Sequence, residues 1–142
     1  MATYASWYLT ADDSTQVVVA ATVEKIDVAT TAGPVSDMTH ATPNRLTNDD
    51  DDSGVFQINA TATFTHSVNN TVLHVLVYVD GSEVADWEQE RKVGTGGDIG
   101  NMSVTALVTL AASSFVELYV LADKNGTITW NHLALVAHKV TV

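Results

Sequence analysis

Residues 55–66 alternate without a break. Phe56, Ile58, Ala60, Ala62 and Phe64 form one set; Gln57, Asn59, Thr61, Thr63 and Thr65 form the other. Successive side chains on a strand point to opposite faces, so this period of two predicts a half-buried strand. The same period returns at Met102, Val104, Ala106, Val108 and Leu110, and no stretch sustains a 3.6-residue repeat. Turn signals punctuate these runs at Asp12-Asp13-Ser14, Asn69-Asn70 and the loop of residues 94–98. Asp80-Gly81 and Asn125-Gly126 read as hairpin turns, because a type I′ turn needs positive φ at both central residues. Residues 30–48, broken by Gly33-Pro34 and Pro43, read as a long polar loop carrying short edge strands. About eight to ten short strands with a turn roughly every ten residues describe an all-β, antiparallel β-sandwich. No linker or repeat divides residues 1–142, which read as a single domain.

Charge narrows the partners. The chain carries 17 Asp+Glu against 6 Lys+Arg, a formal net charge of −11. Such a surface repels phosphate backbones and anionic lipid, so no nucleic acid and no membrane is expected as a partner. There are no cysteines, which excludes disulfides, thiolate zinc sites and cysteine nucleophiles. Met1-Ala2-Thr3-Tyr4-Ala5-Ser6-Trp7 has neither a basic region nor an apolar core, and synthesis without a secretion signal is the expectation.

Residues 72–79 differ from the other strands. Leu73, Val75, Val77 and Val79 share one face, while Val72, His74, Leu76 and Tyr78 share the other. One apolar face fills a sandwich core; the second needs another cover. Residues 30–48 of the same chain are one candidate cover, and an identical subunit is the other.

From Asp52 onward the order of segments resembles the trimeric jelly rolls of the C1q/tumour-necrosis-factor type, which also occur in phage virion proteins. The residues that carry the resemblance are Ser53-Gly54-Val55-Phe56-Gln57-Ile58-Asn59-Ala60, then Val75-Leu76-Val77-Tyr78-Val79-Asp80-Gly81. Val104-Thr105-Ala106-Leu107-Val108-Thr109-Leu110 and Phe115-Val116-Glu117-Leu118-Tyr119-Val120 follow, and Leu133-Ala134-Leu135-Val136-Ala137-His138-Lys139 closes the series. Ser113-Ser114 departs from the Gly-Asp that the family places at the hinge between the third and fourth segments, which puts the turn geometry in question. The resemblance implies a homotrimer with one sheet of each subunit facing the axis. His74, Leu76, Tyr78 and Tyr119 are the expected trimer-interface residues, with Trp87 a further candidate. It also implies a virion structural protein, of which a capsid decoration (cement) protein bound to the major capsid protein on the outer capsid surface is the first reading. Assembly in the host cytoplasm goes with it, and the lack of a fibre stem favours it. Trp7 and the acidic residues Asp49, Asp50, Asp51 and Asp52 are the expected lattice contacts. The alternative is a receptor- or glycan-binding tip of a tail or head fibre.

Catalytic and metal chemistry find little support. Asp49 to Asp52 lack the alternating spacing of an EF-hand, leaving a solvated acidic loop, a hard-cation site or a contact with basic lattice groups. His66 and His74 are placed to meet across a hairpin at Asn69-Asn70, as a plain pair or around zinc. If His74 lines a trimer axis, acidification should weaken the assembly. Gly-x-Ser-x-Gly is absent, and Glu83, Asp86, Glu88 and Glu90 read as charges on an edge strand rather than glycosidase carboxylates. Trp7, Trp87 and Trp130 read as core or interface anchors, with a carbohydrate site as the alternative. No enzyme activity and no cofactor is expected.

Overall fold

The computed structural model describes residues 2–41 and 43–140, which form twelve strands and no helix. The first six are short: β1 (Tyr4–Leu9), β2 (Ser14–Val18), β3 (Val23–Lys25), β4 (Thr30–Ser36), β5 (Met38–Ala41) and β6 (Arg45–Asn48). The rest are β7 (Gly54–His66), β8 (Thr71–Val79), β9 (Ser82–Val93), β10 (Gly100–Leu110), β11 (Phe115–Ala122) and β12 (Gly126–Lys139). They make two antiparallel six-stranded sheets. The first runs β10-β7-β12-β1-β4, with β2 also on β12; the second runs β5-β6-β11-β8-β9, with β3 also on β11.

Residues 30–48 thus hold three short strands with little loop between them, and β4 and β5 are sheet edges, as expected of this segment. The expected count fell short because these strands are brief and lack clean alternation. β1 and β2 lie end to end along β12, from Tyr4 opposite His138 to Val18 opposite Gly126. Where they meet, β12 carries one extra residue, Asn131, between Trp130 and His132. Its Nδ2 donates to Asp13 Oδ1 at 2.6 Å, beside the positive φ of Asp13. The bulge shifts the alternation by one, so that both Trp130 and Leu133 point inward.

The apolar set of β7 faces the opposite sheet, with Phe56, Ile58 and Phe64 fully buried. Phe64 meets the edge of Trp130 at 5.7 Å between centroids and 64° between planes. One contiguous cluster fills the space between the sheets.

Asp80-Gly81 behaves as its sequence predicts, with φ of 50° and 79° between the paired strands β8 and β9. Asn69-Asn70 and Asn125-Gly126 do not form hairpins. Each carries the chain from one sheet to the other, β7 to β8 and β11 to β12. A turn signal reports a local reversal, and nothing in it fixes which sheet the next strand joins. His66 and His74 therefore never meet. At Ser113-Ser114 the turn forms without glycine: Ser113 takes φ 67°, and its N–H donates to Asn48 O at 2.8 Å. Asp80 supplies the hinge carboxylate from another strand end, accepting Ser114 Oγ at 2.8 Å and the Phe115 N–H at 3.0 Å.

Candidate functional site

The outward face of the first sheet is free of charge across its middle. Three rows cross it from β1 to β10. Tyr8, Ala134, Thr61 and Ser103 form the first row, and Ser6, Val136, Asn59 and Thr105 the second. Tyr4, His138, Gln57 and Leu107 form the third. None is Asp, Glu, Lys or Arg, in a chain whose net charge is −11. Tyr8 (51%), Leu107 (54%) and Val136 (41%) are exposed on it. Scattered exposed apolar residues are ordinary; a sheet face that excludes every strong charge in so acidic a chain is not.

The outward face of the second sheet is built differently. His74, Leu76, Tyr78 and Tyr119 do share it, on the paired strands β8 and β11. Leu76, however, is 2% exposed within the single chain, so it is not an open apolar residue awaiting a partner. Tyr78 stacks on Tyr119 at 3.8 Å between centroids, and burial raises both phenol pKa values above the usual tyrosine range. Beside them Glu117 is buried, with Lys25 Nζ in contact and Arg45 Nε at 3.3 Å. Arg45 also lies over the Phe115 ring at 3.7 Å. His74 lies between Glu88 at 3.5 Å and Glu90 at 3.8 Å. The expected cover, residues 30–48, contributes Arg45 and the pairing of β6 with β11 rather than a loop across β8.

Glu83, Asp86, Glu88 and Glu90 are exposed along β9, the edge strand of that sheet. Charge on an unpaired edge discourages strand addition. The three tryptophans do not share a site: Trp7 and Trp130 are in the core and Trp87 is 38% exposed. Trp7, at 1%, is corrected from lattice contact to core anchor, because it occupies an inward position of β1.

The acidic run sits at the end of the sandwich that also holds the 111–114 hinge. Asp50 is tied down, accepting Lys139 Nζ at 2.9 Å and Thr3 Oγ1 at 3.2 Å. The hydrogen bond from Lys139 is the main reason its carboxyl titrates below the ordinary range. Thr39 Oγ1 donates to Asp49, while Asp51 and Asp52 are exposed. No group of three or more His, Cys, Asp or Glu among the described residues is arranged to hold a metal ion.

An open groove of about 570 Å³ runs between β9 and the β10 end of the first sheet. Thr61, Thr63, Asn101, Ser103, Gln89 and Arg91 line it. Buried His66 lies elsewhere, where the chain crosses between sheets. Its Nδ1 accepts the Val68 N–H at 3.0 Å, and burial holds its pKa below the usual imidazole value. Asn44 had no signal in the sequence reading. It is fully buried at φ 65°, and its amide pairs with the backbone of Leu118 as a strand would.

These sheets and their connections define an all-β jelly-roll sandwich. Among solved structures, the PRD1 vertex protein P5 is similar over 98% of this chain and 97% of its own, with TM-score 0.62 and 13% identity. The Eiger TNF from S. frugiperda is similar over 99% of this chain and 93% of its own, with TM-score 0.62 and 12% identity. At such identities the likeness is one of fold. No family model and no curated protein matches the sequence.

Proposed function

We propose that residues 1–142 act as a single non-enzymatic domain of a virion. In this reading the chain assembles as a homotrimer and decorates the outer capsid surface by binding the major capsid protein. The observation that carries the assembly is the charge-free face of the first sheet. Two copies of a chain with net charge −11 repel one another over most approaches. On the face of Tyr4, Tyr8, Leu107 and Val136 they meet without opposing carboxylates and bury exposed apolar surface. This moves the proposed interface from His74, Leu76, Tyr78 and Tyr119 to the other sheet. The trimer number comes from the resemblance of the sequence segments, and the virion setting from the fold shared with the PRD1 vertex protein P5. A trimer multiplies weak lattice contacts through effective concentration. Asp51 and Asp52, exposed at one end of the sandwich, are the proposed lattice contacts toward basic groups. Co-sedimentation with capsids and a higher capsid melting temperature test the role; neither effect appearing refutes it.

A glycan- or receptor-binding tip is the second reading. The groove lined by Thr61, Thr63, Asn101, Ser103 and Gln89 favours it, since hydroxyl and amide side chains suit a polyol. Binding on a glycan array that is lost in Arg91→Ala supports this reading, and binding to capsids without any glycan signal rejects it.

A further inference from the structure

Two histidines stand on the outward face of the first sheet, and their surroundings differ. His132 has a carboxylate at hand, Asp12 Oδ1 at 3.4 Å from its Nδ1. His138 does not. It lies between Tyr4 of β1 and Gln57 of β7, with Leu107 of β10 next in the row. Ser6, Val136 and Asn59 form the adjacent row. Among the described residues of these rows Tyr4 is the one titratable group facing it, and a phenol offers no carboxylate to balance a cation. The neighbouring Lys139 is engaged elsewhere, on Asp50. On the second sheet, His74 has Glu88 and Glu90 to balance a positive charge.

Resting on the assembly reading above, we propose that His138 makes self-association of this chain pH-dependent, with the assembled form favoured while the imidazole is neutral. A partner copy seated on Tyr4, Val136 and Leu107 covers His138 with apolar groups and supplies no carboxylate from its own charge-free face. Protonation then places an unbalanced cation in a desolvated contact, repeated in every subunit of a symmetric ring. Covering the ring without a counter-charge disfavours its charged form. Association is therefore full while the imidazole is neutral and weakens as acidification protonates it. Carboxylates of ordinary pKa remain ionised at pH 5.5, so histidines account for most of the charge change between there and pH 7.5.

Sedimentation velocity on the full chain at pH 7.5 and pH 5.5, with circular dichroism to follow folding, tests this with wild type and His138→Gln. The expected result is a trimer at pH 7.5 whose association midpoint rises by at least ~10-fold at pH 5.5 while the chain stays folded, and a His138→Gln trimer indifferent to pH. A wild-type trimer unchanged at pH 5.5 overturns the proposal, and so does His138→Gln dissociating as wild type does. A wild-type monomer at pH 7.5 overturns the assembly reading itself, a result distinguishable from the other two.

Discussion

Removing the Asn44 side chain should cost more than removing almost any other polar group in the molecule. Its Oδ1 accepts the Leu118 N–H at 2.8 Å, while its Nδ2 faces Leu118 O at 3.3 Å and also donates to Ile26 O. It thus fills the gap between β6 and β3 alongside β11 and behaves as one residue of a missing strand. In Asn44→Ala the fully buried Leu118 N–H loses its partner, which costs about 1–3 kcal/mol, and the Ile26 carbonyl loses a donor worth about 1 kcal/mol. Leu118 O keeps the Ile26 N–H at 3.1 Å and adds little. Holding alanine at φ 65° adds about 1 kcal/mol. The sum is about 3–5 kcal/mol. Asn44→Gly loses the same hydrogen bonds without the backbone strain, so it should be the milder variant by about 1 kcal/mol. Asn44→Asp keeps an acceptor for Leu118 N–H but turns a buried carboxylate toward two carbonyls, and should be no better than alanine. Urea unfolding with unchanged m-value reads these differences directly. An Asn44→Ala variant within 1 kcal/mol of wild type, roughly the worth of a single hydrogen bond, refutes the reasoning. A glycine variant no more stable than alanine refutes the strain part alone.

Further outcomes follow from other sites. Glu117→Ala leaves Lys25 and Arg45 without their shared carboxylate and should cost about 1–3 kcal/mol, discounted because both cations are partly exposed; an unchanged melting temperature contradicts this. Ser113→Gly relieves a positive φ and should stabilise by about 0.5 kcal/mol in chemical denaturation, whereas a loss contradicts the hinge account. Gly126→Ala puts a Cβ at 2.5 Å from His66 Cε1 and should destabilise by more than about 1 kcal/mol, with a neutral result counting against the packing described. Burial holds both His66 and His40 below the imidazole value of 6.5 in the folded chain. The unfolded chain therefore takes up protons first, and stability falls as pH drops below 6.5. Calorimetry in His138→Gln should show a lower melting temperature at pH 5.5 than at pH 7.5, and equal values contradict it.

The sequence made the sandwich legible because its long strands follow strict alternation, as residues 55–66 and 101–110 show. The connections were not legible: Asp80-Gly81 and Asn125-Gly126 carry the same turn chemistry, yet one joins neighbours and the other crosses the core. Asn44 left no trace, since a buried amide completing a sheet and an asparagine in a loop have the same local pattern. Leu76 is the opposite case: it stands at an outward position opposite Tyr119, yet it is buried within the single chain. The charge-free face has a signal in the sequence: the polar sets Gln57, Asn59, Thr61, Thr63 and Asn101, Ser103, Thr105 contain no ionisable group. Joining those two sets into one surface needed the register of β7 against β10.

Copies of this chain are proposed to associate through the outward face of the first sheet. Light scattering coupled to size exclusion at pH 7.5 tests it with wild type, Leu107→Asp on that face, and Glu88→Lys on the opposite sheet. Wild type and Glu88→Lys are expected at three times the chain mass, and Leu107→Asp as a folded monomer. A monomeric wild type, or a Leu107→Asp variant that still forms the trimer, contradicts it.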